Sequence, residues 1–209
     1  VVPHRFTEGL EQARERLERW PATRATFYNE DGSAPRPGSL FKQPELADTL
    51  QRIADQGPEG FYEGETARLI VEEMRRHDGL ITLDDLKAYQ PAIREPVHGT
   101  YRGHDIYSMS PPSSGGTHIV QILNILEHYP IGNMGHNSAE TAHHMAEAMK
   151  LAYADRAQYL GDTDFVEVPL TGLTSKGYAS ALQATIDPDR ARPAEDIQAG
   201  NPAPWESPE

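Results

Sequence analysis

Residues Ser110-Pro111-Pro112-Ser113-Ser114-Gly115-Gly116 lead into Thr117-His118-Ile119-Val120-Gln121-Ile122-Leu123-Asn124-Ile125-Leu126-Glu127, and this stretch decides how the chain is read. Two prolines and two glycines mark a sharp loop. The apolar run Ile119, Val120, Ile122, Leu123, Ile125 and Leu126 then predicts a helix over His118 to Tyr129 whose wide apolar face is largely buried. A Gly-rich turn ahead of a helix offers free N–H groups and a positive dipole end to an anion, and Ser113 and Ser114 are nucleophile candidates by residue type. The structural alternative is that Pro-Pro and Gly-Gly let the chain turn tightly into a buried helix, with a serine as cap. No lysine follows the glycines, so the loop is not a Walker-type phosphate cradle, and Gly-x-Ser-x-Gly is missing.

Upstream, Phe6, Leu10, Ala13, Leu17 and Trp20 recur at spacings of three and four, which predicts an amphipathic helix ended by Pro21. Ala25 to Asn29 reads as a short strand closed by the turn Asn29-Glu30-Asp31-Gly32. Pro44 is placed as the first position of a helix with the stripe Leu46, Leu50 and Ile53, stopped by Gly57. A third helix is expected from Gly64 to His77, burying Ala67, Ile70, Val71 and Met74, with Gly79 as its cap. Thr82 and Asp85 resemble a capping box for a helix over Leu83 to Tyr89. Ile93 to Tyr101 and Asp105 to Met109 then read as a hairpin turning at Arg102-Gly103-His104.

Downstream, Ser138 caps a long helix reaching Tyr159, with Gly161 as its terminator, and Tyr178, Leu182 and Ile186 mark a last helix. The stretch from Asp187 to Glu209 has little periodicity and reads as a strap or mobile end outside the core. On the long helix, His143 and Glu147 share a face as a metal pair would, and His144 adjoins them. They do not follow the His-Glu-x-x-His order and lack an obvious third ligand, so helix-surface or core histidines are the expectation. Asp155 and Arg156 are neighbours and point in different directions, each expected to find an ionic partner elsewhere. The fold class read from these elements is α+β, mostly helical.

Composition narrows the function classes. Nineteen basic residues against 32 acidic ones leave a formal charge of -13, which argues against binding phosphate backbones or anionic membranes. The absence of cysteine excludes a disulfide scaffold, a thiolate metal site or a cysteine nucleophile from this chain. No apolar run approaches the roughly 18 residues of a membrane span. The sequence begins Val1-Val2-Pro3 without methionine or a signal-like stretch, so the start of translation is expected upstream or removed. No cofactor is expected.

Pro111 to Glu127 is similar to the long PPSSGG-x-H-x-VQ-x-LN-x-LE signature of the γ-glutamyltransferases. Upstream, Gly57-Pro58 with Phe61-Tyr62, Gly79-Leu80-Ile81-Thr82 with Asp85-Leu86, and Tyr101-Arg102-Gly103 resemble that family's large subunit. Downstream, so do Tyr153-Ala154-Asp155-Arg156, Tyr159-Leu160-Gly161-Asp162 and Asp164-Phe165-Val166. The likeness is nearly continuous from about Pro58 to the end and weaker, mostly positional, before Pro44.

The resemblance implies an N-terminal-nucleophile hydrolase with an αββα sandwich, made from one precursor that cleaves itself into a large and a small subunit. Residues 1–186 would be the C-terminal, mainly helical portion of the large subunit, and 187–209 an extended Pro-rich tail leading to the cleavage point. Asn201 to Glu209 is similar to the stretch before that point, which makes Glu209 the expected processing boundary. The nucleophilic threonine would follow Glu209 as the first residue of the small, catalytic subunit. It would attack a γ-glutamyl carbonyl, with its own α-amine as proton acceptor. The γ-glutamyl group of glutathione or another donor would then pass to water or to an amine such as an amino acid or peptide.

In the family, the arginine that grips the donor's α-carboxylate lies upstream of the segment matching Val1. The paired serines and glycines of its pocket belong to the small subunit and are not Ser113, Ser114, Gly115 and Gly116. No catalytic, cofactor or metal residue is therefore expected within the chain. Ser113, Ser114, Gly115, Gly116, Asp155 and Arg156 stand as structural candidates. The partners implied are the small subunit, the γ-glutamyl donor and the acceptor, with neither nucleic acid nor membrane. The location implied is the periplasm or the exterior. Two other readings are an acylase or poly-γ-glutamate processing enzyme of the same fold, and a free-standing binding or scaffold module, which would be a stable monomer when expressed alone.

Overall fold

The computed structural model describes residues 1–206, which fall into two compact units, the first Val1–Pro91 and the second beginning at Ala92. The first is helical throughout its regular structure: α1 (His4–Gln12), α2 (Arg14–Leu17), α3 (Pro21–Phe27), α4 (Pro44–Gln56), α5 (Glu59–Tyr62), α6 (Gly64–Arg76) and α7 (Leu83–Ala88). The helix expected from Phe6 to Trp20 breaks at Ala13, and Pro21 starts α3 where a stop was expected. Proline suits a first helical turn because its fixed φ is already helical and its missing N–H has no partner there. The strand expected at Ala25–Asn29 is instead helical through Phe27. No strand lies in this unit among the described residues to pair with it. Tyr28 closes a small core with Leu10 and Ala34, and its hydroxyl donates to the Leu10 carbonyl at 2.7 Å.

The next helices follow their sequence signals. Pro44 opens α4, and Gly57 ends it at φ 64°, a left-handed conformation that favours glycine. Gly60 sits so close to α4 that an added Cβ would lie 2.3 Å from the Arg52 carbonyl oxygen. The Thr82–Asp85 capping box is present in both directions and starts α7. Ala67 and Val71 are buried on α6, whereas Ile70 and Met74 are only half-buried.

The second unit contains β1 (Val97–Tyr101), β2 (His104–Ser108), α8 (Gly115–Leu126), α9 (Ala139–Tyr159), α10 (Leu170–Thr174) and α11 (Lys176–Gln183). Its hairpin turns on two residues, Arg102 at φ 50° and Gly103 at φ 82°, and His104 pairs with Tyr101. Two left-handed residues match the twist of the flanking strands. The first strand begins at Val97, four residues later than expected, directly after Pro96, which has no N–H to give to a ladder. The hairpin lies on α8, and Gly99 makes that approach possible: a Cβ there would sit 2.5 Å from Val120.

Ile125 and Leu126 of α8, Ala148 and Leu151 of α9, Leu173 of α10, and Tyr178, Ala179 and Leu182 of α11 form one core. Full burial of a side chain such as Ile125 stabilises by about 1.5–3 kcal/mol. Ile119, expected inside, is 46% exposed, while Val120, Ile125 and Leu126 of the same helix are buried. The segment after α11 is a strap, as expected, but it belongs to the core. Ile197 joins the cluster and Pro202 is fully buried. No helix among the described residues is long and apolar enough to cross a membrane. The architecture is the expected mainly helical α+β, with one two-stranded sheet.

Candidate functional site

The loop at Ser113–Gly116 is built for close packing. Gly116 N–H donates to the Met109 carbonyl at 3.1 Å, and an added Cβ at Gly116 would lie 2.2 Å from that same oxygen. Ser113 Oγ accepts from Gly115 N–H at 3.3 Å, while Ser114, expected as an alternative cap, caps nothing. Ser114 Oγ instead accepts from Arg156 Nε at 3.2 Å. Two of the sequence candidates, Ser114 and Arg156, are thus brought together across 42 residues. Among the described residues no base is hydrogen-bonded to either serine oxygen, as activation of a serine nucleophile requires.

Beside this loop lies a cavity of about 510 Å³ lined by Arg94, Pro96, Tyr107, Met109, Pro111 and Ser113, among others. Its one cationic side chain, Arg94, is already engaged: it pairs with Asp162 at 3.3 Å and Asp164 at 2.8 Å and donates to Thr163 Oγ1. Two carboxylates neutralise the guanidinium, which leaves it poorly suited to grip a ligand's carboxylate.

The other candidates belong to a different construction. Asp155, 1% exposed, forms no ion pair among the described residues, contrary to the expectation from sequence. Its Oδ2 accepts from Gln121 Nε2 of α8 at 2.5 Å and from the Tyr178 hydroxyl of α11 at 2.8 Å. Its Oδ1 accepts the backbone N–H of Gly200, in the strap, at 2.8 Å. Neutral donors therefore satisfy a buried carboxylate, in charge-assisted hydrogen bonds stronger than neutral pairs. Burial, then the Asp155 hydrogen bond, pushes the Tyr178 hydroxyl far above its ordinary pKa, so it stays a donor.

The same helix holds the strap along its length. His143 Nε2 donates to the Asp187 carbonyl at 2.8 Å. Glu147 accepts the Arg192 N–H at 3.2 Å, and Lys150 donates both to Glu147 and to the Arg192 carbonyl. The Tyr159 hydroxyl donates to the Gly200 carbonyl at 2.6 Å. Positions 143, 147, 155 and 159, with 151 between, form one row of spacing four, which advances by about 40° per step around a helix. The strap follows this row in the same direction as α9. Burial raises the Glu147 pKa, but the Lys150 hydrogen bond and the Arg192 N–H and charge outweigh it, so the carboxyl is held below its usual range.

Beyond Gly200 the strap is fixed to the other helices of this unit. Glu206 Oε2 accepts the Gly172 N–H of α10 at 2.6 Å, and the Trp205 ring lies 5.4 Å from that of Tyr178. Gly172 and Gly177 leave room for it: a Cβ at Gly172 would sit 2.5 Å from the Pro202 carbonyl oxygen, and one at Gly177 2.6 Å from the Trp205 indole. The expected boundary at Glu209 lies outside the described residues. Sequence reasoning missed Gln121, Lys150, Tyr159, Tyr178 and Gly200 as a set. The available signal was the polar row at spacing four on α9: sequence analysis singles out His143, Glu147 and Asp155 separately, the first two as helix-surface or core residues and the third as an ion-pair candidate, and does not join them into one row.

The family model described as Gamma-glutamyltranspeptidase matches residues 1–209. The chain belongs to the gamma-glutamyltranspeptidase family. The glutathione hydrolase proenzyme of Escherichia coli (strain K12) is 49% identical over 185 residues, covering 88% of this chain and 32% of the relative. The acylase ACY 1 proenzyme of Pseudomonas sp. (strain SE83) is 42% identical over 161 residues, 77% of this chain and 29% of the relative. The crystal structure of Helicobacter pylori gamma-glutamyltranspeptidase matches with a TM-score of 0.92 at 43% identity, over 95% of this chain and 57% of that one. The chain spans about a third of the length of the curated relatives it matches.

Proposed function

We propose that the chain is the C-terminal part of the large subunit of a self-processing γ-glutamyltransferase, with residues 1–186 as its body and 187–209 as the tail leading to cleavage after Glu209. The observation that carries this reading is the strap: from Asp187 to Glu206 it is held at successive points on α9 and α10, which supports a tail led to one fixed place. The sandwich, the threonine nucleophile and the donor pocket then reside in the rest of the precursor. The small subunit is the partner, and glutathione or another γ-glutamyl compound is the donor, passed to water or an amine. The large-subunit chain supplies the packed helices that hold the new end. Export to the periplasm or the exterior is part of the same proposal, and fractionation of cells making the native precursor tests it.

Expression of the intact precursor tests the main reading. It is expected to split into two chains, the smaller beginning with threonine directly after Glu209, and to hydrolyse a γ-glutamyl anilide. Replacing that threonine with alanine should abolish both. A native gene with a stop codon after Glu209 refutes the proposal. An acylase is the second reading, favoured by the likeness to ACY 1. Paired assays separate the two: faster hydrolysis of a glutaryl anilide, which lacks the α-amino group, than of the γ-glutamyl anilide selects the acylase.

A further inference from the structure

The polar row on α9 has a role that neither catalysis nor ordinary packing requires. A core carboxylate satisfied by neutral donors is an expensive way to hold three helices together, since apolar side chains of similar volume do so without desolvating a charge. What an apolar side chain cannot do is accept a backbone N–H at one fixed point of a strap with no regular strand or α-helix of its own. Asp155 does this at Gly200, and Tyr159 takes the carbonyl of the same residue. Both polar groups of one peptide position are therefore fixed by side chains one helical turn apart. Lys150 and Glu147 do the same for Arg192. Each pairing sets the register of the strap along the helix as well as its proximity.

We infer that Asp155 is a positioning residue for self-processing: with Tyr159 it clamps the Gly200 peptide so that the strap cannot slide, and thereby sets where the bond after Glu209 is presented. The inference rests on the proposed cleavage after Glu209. The reaction adds one water across the C–N bond between Glu209 and the next residue, leaving a carboxylate on Glu209 and a free amine on its neighbour. Asp155 exchanges no proton or electron pair in it. Its contribution is geometric, and Gly200 shows how tight the clamp is. A Cβ there would lie 2.2 Å from the Tyr178 hydroxyl, the group that shares Asp155 with Gly200. Register matters because a displacement on the order of 1 Å at a reacting bond costs about a hundredfold in rate.

The test uses the full precursor. The half-time of conversion to two chains is measured for the parent, Asp155→Ala, Asp155→Asn and Gly200→Ala. The melting temperature of each is measured with the nucleophilic threonine replaced, so that all are compared uncut. Anilide hydrolysis is measured on enzyme assembled from the two chains expressed separately. Asp155→Ala and Gly200→Ala are expected to lengthen the half-time by about ten- to a hundredfold. Asp155→Asn keeps an oxygen for the Gly200 N–H, and Gln121 can reverse its amide toward the new NH₂, so processing is expected to recover most of the parental rate. The two-chain enzyme carrying Asp155→Ala is expected to retain its hydrolysis rate, because its bond is already open.

Parental processing by Asp155→Ala overturns the inference. So does an equal loss in processing and in two-chain activity, which is the pattern of a purely structural residue. Should Asp155→Ala give no folded precursor, Gly200→Ala carries the same comparison. A parental precursor that never splits after Glu209 removes the underlying reading, whereas normal splitting of both parent and variant removes this inference alone.

Discussion

Asp155 and Gly200 meet through a 2.8 Å hydrogen bond from backbone N–H to carboxylate, across 45 residues of sequence, at a point where the helix is buried and the strap is not yet part of any regular element. The strap is therefore placed in the core by a polar contact in addition to the burial of Ile197 and Pro202. Tyr178 shares that carboxylate from the other side. Tyr178→Phe removes one donor and keeps the ring, so it is expected to cost about 1–2 kcal/mol. Denaturant unfolding of the uncut precursor measures the loss. A variant as stable as the parent would mean that the Tyr178 hydroxyl contributes nothing to the node.

Glycine positions give predictions of opposite sign. Helix propensity alone favours alanine over glycine by about 1 kcal/mol. At Gly116 a Cβ meets the Met109 backbone oxygen at 2.2 Å, and the Gly116 N–H bonds to that same oxygen, so the loop cannot retreat without losing the bond. Gly116→Ala is expected to lose about 1–3 kcal/mol through overpacking. Gly9 in α1 has nothing within 4 Å of an added Cβ, and Gly9→Ala is expected to gain about 0.5–1 kcal/mol. Paired thermal melts decide both signs.

Ser113→Ala and Ser114→Ala separate the two readings of the loop. The serines accept long hydrogen bonds, 3.3 Å from Gly115 N–H and 3.2 Å from Arg156 Nε. Each substitution is expected to cost at most about 1 kcal/mol and to leave hydrolysis by the processed enzyme within about twofold. Loss of activity with retained processing would return the serines to the active site.

Elements with a local chemical signal were legible in the sequence. Thr82 with Asp85, Pro44 with Gly57, and Ser138 each act within one helical turn, so their meaning does not depend on the rest of the chain. The hairpin was legible for the same reason, since Gly103 sits at its turn. Failures came where tertiary context decides. Ala25–Asn29 has residues that suit a strand, but a strand needs a partner, and the local pattern could not reveal that none adjoins it. His143, Glu147 and Asp155 of the α9 row were each visible, yet their partners Asp187, Arg192 and Gly200 lie 44, 45 and 45 residues away. Nothing in the spacing of a strap without periodicity signals which of its peptides will bond.

Glu147 predicts an acid-side dependence. Its folded pKa is below the unfolded value of about 4.5, so its contribution is fully present above that pH and is lost as pH falls through the lower folded value. Lys150→Met removes the strongest of the groups that hold it down and leaves burial to push the carboxyl up. Acid unfolding of that variant is expected to begin at a higher pH, with a loss of about 1–3 kcal/mol at neutral pH. Melting temperature as a function of pH checks both. An unchanged acid limb would show that Arg192 alone suffices to keep Glu147 ionised.

His118 predicts a second, milder pH effect in a different window. It is 8% exposed, with its ring centroid 5.0 Å from that of Tyr153. Burial first, and then the positive charge of Arg156, lower its pKa below the ordinary 6.5, outweighing the opposite pull of the Ala152 backbone hydrogen bond and of the Asp155 charge. The folded chain therefore binds a proton less readily than the unfolded one between the two values. The stability due to neutral His118 is complete above about pH 6.5 and declines as pH falls toward and through the lower folded value. Arg156→Gln removes one of the two causes, so the decline should become shallower without disappearing. His118→Gln should abolish this limb and leave the Glu147 limb in place. Melting curves between neutral pH and the onset of carboxylate titration test this, and a parental slope in the His118→Gln protein would assign the proton uptake to another group.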